Sequence, residues 1–139
     1  MEDLAVSLTR GNVAEVKMVL ATVLATLAVY QVTLMAVGYG KLRLPFLKPL
    51  PASRAHRAIG DSLVVVTLLV AFLCIAWFGF EDDYALHIAL ALALLVVFAV
   101  KIAIIRVGRR FDFLLPPLGV SLLLLFWATW ASVALDHLF

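Results

Sequence analysis

The chain has 139 residues, of which 65% are hydrophobic and 14% are charged. Soluble domains are about 45–50% apolar and about 25% charged, so this composition excludes an ordinary soluble domain and predicts a membrane protein. The net charge of +2 gives no reason to expect a nucleic-acid partner. The single cysteine excludes an intrachain disulfide and a multi-cysteine metal site.

Four apolar runs are long enough to cross a bilayer, which takes roughly 20 helical residues. Each run must be helical, because unpaired backbone groups have no water partner in hydrocarbon. The predicted spans cover residues 14–40, 56–80, 84–107 and 113–137. Residues 1–139 are therefore expected to form one all-α domain, an integral membrane four-helix bundle with up-down-up-down connections.

The connections between the spans carry different signals. Residues 41–57 contain three prolines and are expected to be extended. Residues 81–83 are so few that the second and third spans are expected to form a tight antiparallel hairpin. Before the first span, Asn12 followed by Glu15 predicts an N-cap with a capping partner.

The basic residues of the loops predict the orientation. The first and third loops carry Lys41, Arg43, Lys48, Arg54, Arg57, Arg106, Arg109 and Arg110. The second loop is purely acidic. The positive-inside rule therefore places the first and third loops in the cytoplasm and both termini outside, an N-out/C-out topology. We expect a multi-pass protein of the cell's inner (plasma) membrane, surrounded by lipid.

Two charged residues interrupt the apolar runs of the second and third spans. Asp61 lies four residues after Arg57, and Lys101 lies five residues before Arg106. Both are therefore about 6–8 Å from the cytoplasmic boundary. Because charges in a membrane usually mark a pair or a function, we expect an Asp61–Lys101 ion pair between the second and third spans. The alternative is that Lys101 extends to the headgroups and Asp61 faces water.

The three histidines are the candidate ligands for a haem cofactor. His56 opens the second span on the inner side, and Gly60 follows one turn later. A glycine at this spacing leaves room for a flat macrocycle, and cations such as Arg57 suit its propionates. His87 opens the third span and His137 closes the fourth, both on the outer side. Because His56 and His87 lie at opposite faces, they are not expected to share one iron within a monomer.

Two haem geometries remain open. His87 and His137 could meet near the outer surface. Alternatively, His56 binds haem alone, or with Met35, Lys101 or a residue of another subunit. Without a cofactor, His56 is an interfacial residue and His87 a hydrogen-bonding residue at the outer rim.

A series of short motifs runs through the chain in order. It comprises Gln31, Gly38-Tyr39-Gly40-Lys41, Arg54-Ala55-His56-Arg57 with Gly60, Leu86-His87, Phe98-Ala99-Val100-Lys101, Arg106, Leu115-Pro116 with Gly119, and Trp127 with Ser132. The series resembles an uncharacterised family of small bacterial four-helix membrane proteins. That family is similar in turn to the cytochrome b561 and ferric-reductase transmembrane group. The resemblance covers nearly the whole chain.

The resemblance implies a haem site near the outer surface. Family members often carry a histidine late in the second span, beside a cysteine, where it would face the histidine that opens the third span. Here Cys74 is present, but the preceding residue is Leu73. The resemblance therefore implies a site in which His87 has lost its best partner.

The function expected from these features is an electron-transfer subunit that binds haem b. It would relay electrons to a quinone or to another membrane or peripheral redox subunit. The alternative is a cofactor-free accessory or anchor subunit of a larger membrane complex. The sequence contains no constellation for hydrolysis or group transfer, so any enzymatic role is at most that of a redox subunit.

Overall fold

The computed structural model describes residues 2–80 and 84–138, apart from the side chains of Glu2, Ala5, Arg109, Asp136, His137 and Leu138. Five α-helices and one 3-10 helix follow one another in this part of the chain. Their bounds are Glu2–Thr9 (α1), Val13–Gly38 (α2), Pro49–Phe78 (α3), Ala85–Val107 (α4), Arg109–Leu114 (the 3-10 helix) and Leu115–Leu138 (α5). The prediction of an all-α fold is confirmed.

Four of the helices correspond to the four predicted spans. Each of α2, α3, α4 and α5 provides a segment long and apolar enough to cross a membrane. The chain is therefore a multi-pass membrane protein with a four-helix bundle. The positions of the termini relative to the membrane stay a prediction. We use 'outer end' for the end of the bundle at which α2 begins and α3 ends, following that prediction. The opposite end is the inner end.

The first helix of the bundle is preceded by a short helix, α1, that the sequence pattern did not predict. Arg10 and Gly11, with φ of 52° and 87°, turn the chain between α1 and α2. Asn12 is the N-cap of α2, as predicted, but its side chain makes no capping hydrogen bond. Helix α1 packs against α2 and α3.

Helix α3 begins at Pro49, well before the predicted boundary at residue 56. Pro49 and Pro51 both fall in the first turn. Amide hydrogens there have no acceptor within the helix, so proline removes no hydrogen bond. The prolines that suggested an extended loop therefore mark the start of a helix instead.

The helices pack as neighbours in an order that the sequence did not indicate. Helix α2 packs closely against α3 and α5, and α4 packs against α5. Helices α3 and α4 approach each other little, so the expectation of a tight hairpin is wrong. A short connection fixes only the ends of two helices, whereas their separation depends on side-chain packing along their length. A space is left between α3 and α4.

The middle of the bundle holds a buried apolar core to which α2, α3, α4 and α5 all contribute. Its members are Leu24, Ala28, Leu63, Leu94, Leu122 and Phe126. Phe98 packs edge-on against Phe126, with ring centroids 5.7 Å apart. A second cluster, of Leu34, Val37 and Ala52, joins α2 to α3 near the inner end. The core therefore separates the outer half of the bundle from the inner half.

Candidate functional site

A cavity of about 140 Å³ lies in the outer half of the bundle and is lined by α2, α3, α4 and α5. We call it the outer cavity. Leu24, Leu94 and Phe126 of the core line its inner part, and Lys17 and Tyr84 line it near the outer end. The floor of the outer cavity is therefore the core itself.

The outer cavity reaches the surface between α3 and α4. Ile75 on α3 and Leu92 on α4 both line it, and these side chains are 42% and 53% exposed. In a membrane, this surface faces lipid. The weak packing of α3 against α4 therefore gives a buried site an opening toward the hydrocarbon.

His87, at the start of α4, lines the outer cavity. Its Nδ1 lies 3.0 Å from Ser132 Oγ, and the Ser132 hydroxyl donates to the backbone oxygen of Thr129 at 2.8 Å. Because the single hydroxyl proton of Ser132 is used on Thr129, Nδ1 of His87 must donate to Ser132. The neutral ring then keeps its lone pair on Nε2. Metal-binding histidines are typically oriented in this way by a residue on the other nitrogen.

Lys17 is a buried cation of the outer cavity. It is only 8% exposed, and its Nζ lies 4.0 Å from the centroid of the Phe78 ring, a cation–π contact between α2 and α3. Among residues 2–80 and 84–138, no carboxylate forms an ion pair with it. Cys74 and His87 line the same cavity as Lys17.

Two threonine hydroxyls that line the outer cavity lack a hydrogen-bond partner within the described part of the chain, those of Thr67 and Thr129. Elsewhere in the bundle, Thr22, Thr26 and Thr33 each donate to the carbonyl four residues earlier. A buried polar group without a partner costs about 1–3 kcal/mol. Both hydroxyls are therefore unsatisfied within the described residues, on side chains that line the cavity.

His56 lies at the inner end and holds α3 to α2. Its Nδ1 donates to the backbone oxygen of Gln31 at 3.1 Å, and Gln31 Nε2 donates to the backbone oxygen of His56 at 3.0 Å. Gln31 is 7% exposed, and its Oε1 is buried with no partner among the described residues. We call this reciprocal pair the inner clamp.

The other residues predicted to bind a cofactor at the inner end lie around this clamp. A Cβ added to Gly60 would lie 3.7 Å from Gln31 Nε2, so Gly60 packs next to the side-chain amide of Gln31. Arg57 is exposed. The structure therefore brings His56 and Gly60 together with Gln31, away from the outer cavity.

The expected ion pair between Asp61 and Lys101 does not form in the described structure. Asp61 is exposed, and Lys101 is partly buried. The physical reason is the separation of α3 and α4, on which the expectation depended.

Two further expectations concern the partner of His87. The side chain of His137 lies outside the described residues, so a pairing of His87 with His137 stays a prediction. Leu73 is 2% exposed and packs into the protein, whereas Cys74 lines the outer cavity. On α3 it is therefore the cysteine that shares the cavity with His87.

The sequence reading missed Lys17, Thr67 and Thr129. Lys17 lies inside the first predicted span, residues 14–40, but it was not expected to line a cavity. A signal was present, since Lys17, Ala21 and Leu24 follow the spacing of one helix face. Because Leu24 belongs to the core, that face points inward and carries Lys17 with it. No comparable signal distinguishes the two threonines.

The outer cavity contains side chains that could hold a cofactor. Among the described residues, no group of three or more His, Cys, Asp or Glu side chains could hold a metal ion. A haem group would need fewer protein ligands than a bare metal ion, because its macrocycle also binds the iron. His87 lines the outer cavity, as do two sulfur-containing residues, Met18 and Cys74.

Comparisons with known proteins place the chain in a family. Neither the curated proteins nor the solved structures give a match. A family model described as "Family of unknown function (DUF6529)" matches residues 3–138, which include α1 from its second residue onward and every residue of the outer cavity. The chain therefore belongs to DUF6529, a family of unknown function.

Proposed function

We propose that the protein is a membrane-embedded electron-transfer subunit that binds haem b in the outer cavity through His87. The observation that carries the proposal is the state of the His87 imidazole. It lines an apolar cavity, Ser132 fixes its Nδ1, and its Nε2 is left as a donor atom. Four-helix bundles commonly hold cofactors on side chains of facing helices. The resemblance to the cytochrome b561 group supports the same reading.

The residues of the outer cavity have separable roles in this proposal. Ser132 sets the tautomer and the orientation of His87. Leu94 and Phe126 exclude water from the floor, which strengthens electrostatic interactions inside. Met18 and Cys74 are the sulfur-containing residues of the lining that would help to hold the group. Bound haem supplies one-electron redox chemistry.

The partner is a quinone or a peripheral redox protein. The opening between Ile75 and Leu92 supports a quinone, because an apolar carrier dissolved in the bilayer can approach the cavity from the side. At the outer end, Phe80 and Tyr84 line the cavity and are exposed, so a peripheral protein also has access.

Absorption spectroscopy tests the proposal. We expect protein purified from haem-replete cells to show a Soret band that sharpens on reduction with dithionite. We expect His87→Ala to lower the haem content about tenfold or more. Ser132→Ala should lower it less, because the ligand stays while its orientation is lost.

His56→Ala is the matched control, since it removes an imidazole that is also held through Nδ1 but does not line the outer cavity. It should keep its haem. A folded but colourless wild-type protein would overturn the proposal in favour of a cofactor-free accessory subunit. Loss of haem in His56→Ala, with haem retained in His87→Ala, would move the site to the inner end.

A further inference from the structure

The outer cavity combines long apolar walls with one buried cation near its outer end. We propose that Lys17 binds a carboxylate of the molecule that occupies the outer cavity. The cavity then takes an amphiphile whose anionic head lies at Lys17 and whose apolar body lies between the helices. The inference rests on the proposed function where the carboxylate is a haem propionate. A fatty acid is the other source of the same chemistry.

The burial of Lys17 is the first argument. A lysine near the end of a membrane helix normally extends its ammonium to the surface, which costs little. Lys17 is only four residues into α2, yet it is 8% exposed and points at Phe78. Its position therefore has a reason other than contact with water.

The lack of a charged partner is the second argument. An ammonium has three donors, and the face of one aromatic ring does not satisfy them. Burial of a charge is costly unless the charge is paired. Within residues 2–80 and 84–138, Lys17 has no carboxylate partner, while its side chain lines a cavity. An anion inside that cavity completes the site.

The shape of the cavity is the third argument, because it selects an amphiphile over a small anion. Along α3, the lining extends from Phe78 beside Lys17 to Thr67. At 1.5 Å per residue this is about 16 Å, of which most is apolar. Thr67, 5% exposed and without a partner in the described structure, lies at the inner part of this lining. A molecule that fills this length is mostly apolar.

The first experiment changes the ligand and leaves the protein unaltered. Wild-type protein from haem-depleted cells is titrated in nanodiscs with haem b and with its dimethyl ester, in which both propionates are blocked. We expect the free acid to bind about tenfold more tightly, as a charge-assisted hydrogen bond at a buried site predicts. This comparison does not depend on whether any variant folds.

The second experiment removes or keeps the cation. Lys17→Met has similar length and no charge, and it should bind the two haem forms with equal affinity. Lys17→Arg should keep the preference for the free acid. Lys101→Met is the matched control, because Lys101 is also partly buried in a span but does not line the outer cavity. It should keep the preference as well.

A third titration separates the two sources of the carboxylate. The probe is cis-parinarate, a fluorescent fatty acid excited by energy transfer from tryptophans such as Trp130, which lines the cavity. If no haem binds, but parinarate binds more tightly than its methyl ester and Lys17→Met removes this difference, the proposed function fails and the Lys17 inference stands. If haem binds and its ester binds equally well, the Lys17 inference fails and the proposed function stands. If Lys17→Met changes the preference for neither acid, the inference is overturned.

Discussion

The outer and inner ends of the bundle each hold a histidine with the same hydrogen-bonding state. His87 donates from Nδ1 to Ser132, and His56 donates from Nδ1 to the backbone oxygen of Gln31. Both neutral rings therefore keep a lone pair on Nε2. The surroundings differ, because His87 lines a cavity whereas His56 joins two closely packed helices.

The difference shows that helix separation determines what a histidine can do. At the inner end, α2 and α3 are close enough for a reciprocal pair of hydrogen bonds between them. At the outer end, α3 stands away from α4, and a cavity of about 140 Å³ lies beside them. A donor atom becomes a ligand site only where the packing leaves room beside it.

Filling the outer cavity should have the largest effect on haem binding, and it tests whether the two ends of the bundle differ in this way. Ala91 lines it, and Ala91→Phe adds a ring to the space. We expect the haem content, measured from the Soret band, to fall about tenfold or more. Ala93→Phe on the same helix is the control, because Ala93 is exposed and does not line the cavity. Equal haem content in the two variants would show that haem binds elsewhere.

Most of the fold could be predicted from the sequence because the bilayer imposes strong rules. The four apolar runs correspond to α2, α3, α4 and α5, since hydrocarbon leaves the backbone no alternative to a helix. The start of α3 was misplaced because proline has two meanings, a loop residue or the first turn of a helix. Helix α1 was missed because eight residues give little periodicity to detect.

The candidate site could be predicted only in part. His87 stands out in the sequence because an imidazole is uncommon in a membrane span. Neither the separation of α3 from α4 nor the absence of the Asp61–Lys101 pair could be inferred, because both depend on which helices pack together. The outer cavity follows from that same packing.

A smaller effect is expected at the inner clamp, which should contribute to the stability of the fold. We expect Gln31→Leu and His56→Ala to be coupled by about 0.6–1.7 kcal/mol of unfolding free energy, the range for hydrogen bonds between membrane helices. Unfolding of the single and double variants in mixed micelles measures this. Thr33→Val removes only a bond to the backbone of its own helix and should not couple to His56. Additive effects of Gln31→Leu and His56→Ala would contradict a clamp.

The smallest effects distinguish two glycines near the inner end. A Cβ at Gly38 would lie 2.7 Å from Ser53 Oγ, so α2 and α3 are in near contact there. Gly38→Ala should lower the free energy of unfolding by about 1 kcal/mol, because the Ser53 hydroxyl has to move. Removing that hydroxyl with Ser53→Ala should restore the stability. A Gly38→Ala protein as stable as the wild type would show that the helices adjust freely.

At Gly60 the added Cβ would meet only the Gln31 amide, at an ordinary contact distance of 3.7 Å. Gly60→Ala should therefore keep the stability or raise it by up to about 1 kcal/mol, since alanine favours a helix. Its haem content should equal that of the wild type, because Gly60 lies beside the inner clamp and not in the outer cavity. If a methyl group at this position removes the haem while the protein stays folded, Gly60 must make room for a macrocycle beside His56. The inner end would then be the cofactor site, and the contrast between the two histidines would be reversed.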